Sequence, residues 1–168
     1  MNEPFEIIRE IGIDAGHRVT HHGSKCKNLH GHRYTVQACV KGTLFPSGEQ
    51  EGMVLDFGFL KELMMEHIDE PCDHGMTLWV DDPLVGTMFL TPEQLVMAKY
   101  SIETSGYWLG YGNGGKLYLV PFVPTAENLA RHWFQRLQQP VASRTQGQGE
   151  ISYVKVWETP NGIAKYPA

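Results

Sequence analysis

No run of apolar residues in this sequence reaches the ~18 that a membrane-spanning helix needs, so no membrane partner is expected. The opening MNEPFEIIRE lacks a basic stretch followed by an apolar one, so no signal peptide is read there and a cytoplasmic location is expected. Cysteine is sparse: Cys26, Cys39 and Cys72 make an odd count, which favours reduced thiols over a disulfide framework. Internal repeats, low-complexity tracts and linker-like stretches are also missing, so residues 1–168 read as one domain. Positive charge is not in excess. The net charge of −5 argues against a general nucleic-acid binder. Acidic residues are missing locally, however. None occurs between Ala15 and Gly48, where Arg18, Lys25, Lys27, Arg33 and Lys41 give a local +5. Such an island suits an anionic ligand, or it is a solvated face.

What is present has two periods. "FEIIREIGIDAGH" alternates, with Ile7, Ile11, Ile13, Ala15 and His17 on one side, and reads as a half-buried strand. "THHGSKCKN" is a polar loop. From His30 the alternation returns, with His30, His32, Tyr34, Val36, Ala38 and Val40 sharing a face. "MVLDFGFLKELMMEHIDE" changes to helical spacing, with Asp56 as N-cap, and "PCDHG" ends that helix. An irregular insert at about 77–120 follows. It holds a helix with Thr91 as N-cap, Pro92 at the first position and Gln94 at the capping-box position, then a "GYGNGG" loop and a short strand in "KLYLVPFV". "PTAENLARHWFQRLQQP" is a helix with a Leu129, Trp133, Leu137 stripe. "VASRTQGQGE" reads as a surface loop, "ISYVKVWE" as a strand and "TPNGIAKY" as the start of a closing one. Helices segregated from antiparallel strands imply an α+β fold with the helices on one face of a sheet.

His30 and His32 are two apart on a strand, so both rings point to one side and can chelate a single ion. His17 ends the preceding strand on its apolar face. Antiparallel pairing would bring it beside His30, and three histidines with an open fourth position is the pattern of a catalytic zinc centre. The same histidines would otherwise only hydrogen-bond near a loop. His21 and His22 are loop residues, and His67 and His132 read as surface or core-edge positions on helices. Cys26 lies between Lys25 and Lys27, where cations and a nearby metal favour thiolate, as ligand, nucleophile or base. Cys39 and Cys72 read as structural. Asp73 adjoins His74, an arrangement suited to proton relay. Glu158 shares parity with Val154 and Val156, so it either aims into a pocket or sits solvated at a strand end.

The ordered set of "AGH" with His17, Cys26-x-x-x-His30-Gly-His32, "GMVLDFGFLK", Asp73-His74, "PTAEN" and "VWET" resembles the 6-pyruvoyl-tetrahydropterin synthase family. The cysteine spacing is most similar to its bacterial branch, the 6-carboxytetrahydropterin synthases of queuosine biosynthesis. The resemblance runs from about residue 5 to 166 and leaves about 77–120 uncovered. It implies the tunnelling fold: a four-stranded antiparallel sheet with two helices on one face, trimers that dimerise into a homohexamer, and active sites between subunits. It also implies Zn2+ on His17, His30 and His32. Cys26 would be a general base or acid, with Asp73 and His74 as the second proton-handling unit. Glu158 would anchor the pterin, with Thr125 and Glu127 at the pocket wall. Thr125 is equally suited to be a plain helix N-cap. The implied substrate is 7,8-dihydroneopterin triphosphate, cleaved to 6-carboxytetrahydropterin, acetaldehyde and triphosphate. Arg18, Lys25 and Lys27 are candidates to meet the triphosphate. The alternatives are the sister enzyme that keeps the carbon chain, a zinc-binding oligomer without catalysis, and an α+β module without metal. Arg33 stands where the family commonly has a small polar residue, but its parity is opposite to the ligands.

Overall fold

A computed structural model describes residues 3–168. Strands β1 (Phe5–His17) and β2 (His30–Gly42) form where the alternation is strongest. They pair antiparallel along their whole length, with His17 opposite His30 and Ala15 opposite His32. Gly31 sits at a close backbone approach, where a Cβ would come within 3.0 Å of the Ala15 carbonyl oxygen. β2 continues to β6 (Gly149–Thr159), and β6 to β7 (Gly162–Tyr166), all antiparallel. These are four of the five strands the patterning predicts, the fifth being the short one in "KLYLVPFV".

They are only part of the sheet. β3 (Gly75–Trp79), β4 (Trp108–Gly112) and β5 (Gly115–Val120) extend it to seven strands in the order β4-β5-β3-β1-β2-β6-β7. β3 runs parallel to both β1 and β5, so the sheet is mixed rather than four-stranded and antiparallel. The reason is burial. Tyr118 and Val120 face one side while Leu117 and Leu119 face the other, all buried. A strand apolar on both faces has no alternation to read. The segment that reads as irregular is therefore a sheet extension with its own helix.

Helix α1 (Phe57–Met64) starts at Asp56, whose carboxylate accepts from the Gly58 N–H at 2.6 Å. A π-helical stretch (Met65–Asp69) joins it to the short helix α2 (Glu70–Cys72). Helix α3 (Pro92–Ser105) carries the capping box of Thr91 and Gln94. Helix α4 (Ala126–Arg144) runs through Pro140 instead of stopping there, and takes in "VASR". Pro140 forfeits one helical N–H bond. The stripe of Trp133, Leu137 and Val141 nonetheless stays buried, and Thr145 closes the helix with its hydroxyl donating to Val141 or Gly149 carbonyl oxygens. α1 and α4 share the core with Ile13, Tyr34, Val36 and Val154. α3 packs with Leu78, Leu117 and Leu119, whose parity puts it on the opposite side of the sheet. The helices thus do not all lie on one face.

His132 is not at the core edge. It is buried on α4, and its Nε2 accepts from the Tyr118 hydroxyl at 2.6 Å. Burial, and then Arg136 beside it, holds it down at about 4. An unfolded histidine near 6.5 takes up its proton first, so acid favours unfolding between these two values. Stability should fall by about 3 kcal/mol through this group as pH drops from 7 to 4. Urea midpoints across that range should flatten in a His132→Gln variant relative to the parent, and an unchanged slope would refute the assignment.

Candidate active site

The β1–β2 register brings together the ends of two strands, and with them three imidazoles. His17, His30 and His32 each offer one nitrogen, all within 4.8 Å of one another. His17 Nδ1–H donates to the Pro124 carbonyl at 2.8 Å, and His30 Nδ1–H to the Asn28 carbonyl at 2.7 Å. Each bond fixes a tautomer and leaves Nε2 as the free donor of electrons. Tyr34, next on the same face, packs edge-on to both His17 and His32. Sequence reading treats Tyr34 as an ordinary strand residue, although its parity with the histidines already marks it as their floor. The two supporting carbonyls carry no sequence signal at all.

The residues fit a metal ion. Nε2 of His17 and of His32 are buried and have no hydrogen-bond partner. The Glu158 carboxylate faces them at 3.9 and 3.6 Å, too far for hydrogen bonds. An ion at the convergence point would satisfy both orphaned nitrogens. Burial lowers the pKa of His17 and His32, which keeps them in the neutral, ligating form.

Cys26 sits in a single 3-10 turn, Lys25–Lys27, started by the Ser24 hydroxyl accepting from the Lys25 N–H at 2.6 Å. It is partly exposed, whereas Cys39 and Cys72 are buried. Burial raises both of those thiols, Cys72 to about 12, so neither is a ready nucleophile. Cys26 shares a cleft of about 350 Å³ with His22, Thr125, Glu127 and Glu158. Thr125 caps α4 by accepting from the Asn128 N–H at 3.3 Å, so the capping use is real and its hydroxyl also lines this cleft.

Asp73 and His74 are not in that cleft. His74 lines another, of about 530 Å³, with His32, Lys116, Asp14 and Met76, and Asp73 holds it from behind. Asp73 accepts from the Asp14 N–H at 2.8 Å and from His74 Nδ1–H at 2.6 Å. Burial opposes its ionisation, but those bonds prevail and hold the carboxyl below its usual range. The same hydrogen bond raises His74. His74 has φ +52°, an uncommon left-handed conformation for a residue with a side chain, and is pinned by its own N–H donating to the Asp14 carbonyl at 2.7 Å. Its ring is 79% exposed, presented outward.

The basic island is smaller than its formal charge. Arg33 pairs with Asp14 at 2.7 Å and Arg18 with Asp82 at 2.6 Å. Arg18 is therefore occupied inside the chain and is not free for a triphosphate, while Lys25 and Lys27 remain exposed beside Cys26.

The family model described as 6-pyruvoyl tetrahydropterin synthase matches residues 6–168. The chain is 33% identical over 162 residues to the 6-carboxy-5,6,7,8-tetrahydropterin synthase of Haemophilus influenzae, covering 96% of this chain and 98% of that one. It is 34% identical over 158 residues to the enzyme of the same name from Rickettsia felis, covering 94% and 96%. These matches extend through the segment at about 77–120, so that segment is shared with them. Among solved structures, 6-pyruvoyl tetrahydropterin synthase of Plasmodium falciparum superposes with a TM-score of 0.64 at 19% identity, over 98% of this chain and 97% of that one, which is a likeness of fold.

Proposed function

This chain belongs to the 6-pyruvoyl tetrahydropterin synthase family, and from that premise we propose that it is a zinc-dependent 6-carboxy-5,6,7,8-tetrahydropterin synthase. It is a lyase acting on a pterin. Its substrate is 7,8-dihydroneopterin triphosphate, and its products are 6-carboxytetrahydropterin, acetaldehyde and triphosphate. One water is needed for the atoms to balance. The product belongs to queuosine biosynthesis. The observation that carries the reading is the converging histidine set beside the cleft of Cys26 and Glu158, in a chain that matches enzymes of that name almost end to end.

His17, His30 and His32 hold Zn2+, which when bound supplies Lewis acidity toward the side-chain hydroxyls. Glu158 accepts two parallel N–H bonds from the amino-pyrimidinone edge of the pterin. Thr125 donates from the cleft wall while its oxygen caps α4, and Glu127 lies beside it. Cys26 exchanges a proton with one side of the substrate side chain. His74, oriented by Asp73, serves the other. Lys25 and Lys27 meet the triphosphate.

Cys26 and His74 line different clefts of the same chain, yet both have to reach one substrate. An outward-facing His74 suits delivery into a neighbouring copy's cleft. This supports a homo-oligomer, a hexamer built as a dimer of trimers, with sites between subunits. Residues 1–168 then act as one domain in the cytoplasm, and the inserted segment is part of its sheet. Incubation with 7,8-dihydroneopterin triphosphate should release acetaldehyde and triphosphate in equal amounts. Triphosphate without acetaldehyde would overturn the carboxy assignment in favour of the chain-retaining sister reaction.

A further inference from the structure

The inserted segment touches the site at one strongly built point. Asp82 lies in the turn after β3 and is 2% exposed. One oxygen, Oδ1, accepts from the Leu84 N–H at 2.8 Å, within its own turn. The other, Oδ2, reaches across to the polar loop between β1 and β2. It accepts from Arg18 Nε–H at 2.6 Å and from the Thr20 hydroxyl. A buried carboxylate needs such partners to stay ionised, and both partners from outside its own turn come from the root of one loop. His21 in that loop also packs edge-on against Trp79, at the end of β3.

Between Arg18 and Thr20 stands Val19, and its N–H donates to the carbonyl of Cys26 at 2.8 Å. The His22 N–H in turn donates to the Val19 carbonyl at 3.0 Å. Fixing Arg18 and Thr20 therefore fixes the peptide N–H that tethers the Cys26 turn. That turn has little else to hold it. It is a single 3-10 turn with no buried residue, flanked by exposed lysines.

We propose that Asp82 is a positioning residue for Cys26: the inserted segment clamps Arg18 and Thr20, and through Val19 sets where the thiol stands. The clamp rests on Cys26 being a proton-handling group of the reaction proposed above. It assigns the segment a task, the rigid placement of a loop that would otherwise swing, and a thiol displaced by even an ångström transfers its proton poorly.

The experiment reads Cys26 itself. Iodoacetamide alkylation of the purified protein without substrate, followed at Cys26 by peptide mass spectrometry, should quicken by ~5-fold or more in Asp82→Asn and in Thr20→Val, because local opening exposes the thiol. Asp81→Asn is the matched control. Asp81 pairs with Lys99 on the surface at 2.7 Å, so that variant should react at the parent rate. Turnover of 7,8-dihydroneopterin triphosphate should show kcat lowered by ~10-fold or more with KM within about twofold, the mark of lost positioning and not of lost binding. Thr20→Val keeps the charge pair and carries the test if Asp82→Asn folds poorly. A parental alkylation rate in both variants would overturn the clamp, whatever happens to melting temperature or turnover. Absence of turnover in the parent would instead defeat the functional reading, and the alkylation comparison would still decide the clamp.

Discussion

Replacing His30 with alanine should leave the purified protein folded, without stoichiometric zinc, and with turnover down by roughly 10³-fold or more. His30 is the best of the three to change because it is only partly buried at the start of β2, where its ring packs against the other two histidines and its one hydrogen bond goes to the exposed Asn28 carbonyl two residues away. His17 is nearly fully buried and bonded to Pro124, so its removal mixes loss of a ligand with loss of packing. Removing one of three nitrogens leaves two donors for an ion that favours four-coordinate sites closed by substrate or water. A Lewis acid contributes several kcal/mol to a transition state, and each 1.36 kcal/mol is tenfold in rate, so about 4 kcal/mol gives the stated loss. Metal content of the parent and of His30→Ala, measured by elemental analysis alongside urea midpoints, checks the first half. Equal metal in both would remove the site. Metal lost with turnover retained would make the ion dispensable to the reaction and would favour a mechanism in which Cys26 and His74 act alone. Chelation of the parent should mimic the variant, and added Zn2+ should restore the parent only.

The histidine cluster was readable because its geometry follows from period two. Ile11, Ile13, Ala15 and His17 share a face with Tyr34 and Val36 once β1 and β2 pair, and that pairing sets His17 opposite His30. Capping chemistry was equally local, so Asp56, Thr91 and Thr125 stand where their neighbours predict. Whatever depends on distant partners was hidden. β5 is apolar on both faces, so "KLYLVPFV" reads as a strand without showing which strands flank it, and β3, five residues with Thr77 buried beside Leu78, gives no alternation. Pro140 signals a stop, yet the burial of Val141 beyond it carries α4 onward. Arg18 counted as free charge for an anion until Asp82, 64 residues away, was seen to hold it. His132 looked peripheral because helical spacing leaves it beside Trp133 without saying that Tyr118 waits opposite. Asp73 and His74 were recognisable as a pair, but no pattern tells that His74 lines a different cleft from Cys26.

That separation sets up the second large effect. Cys26→Ala should lower kcat by about 10²–10⁴-fold, the usual worth of a positioned acid or base, with bound zinc and pterin affinity unchanged. Its side chain supports no core contact, since the turn holding it contains no buried residue. His74→Ala should lose activity to a comparable degree, with its exposed ring leaving stability unaffected. The two inactive proteins then test how the site is assembled. If one subunit supplies Cys26 and a neighbour supplies His74, co-expression in equal amounts builds mixed oligomers. A site is intact when its Cys26 comes from a His74→Ala copy and its His74 from a Cys26→Ala copy. Each condition is met half the time, so about a quarter of the parent activity should return. If a single chain supplied both groups, every site in the mixture would carry one defect and nothing would return. Unchanged turnover in Cys26→Ala alone would go further, removing the thiol from the reaction and leaving a metal-binding oligomer as the better description.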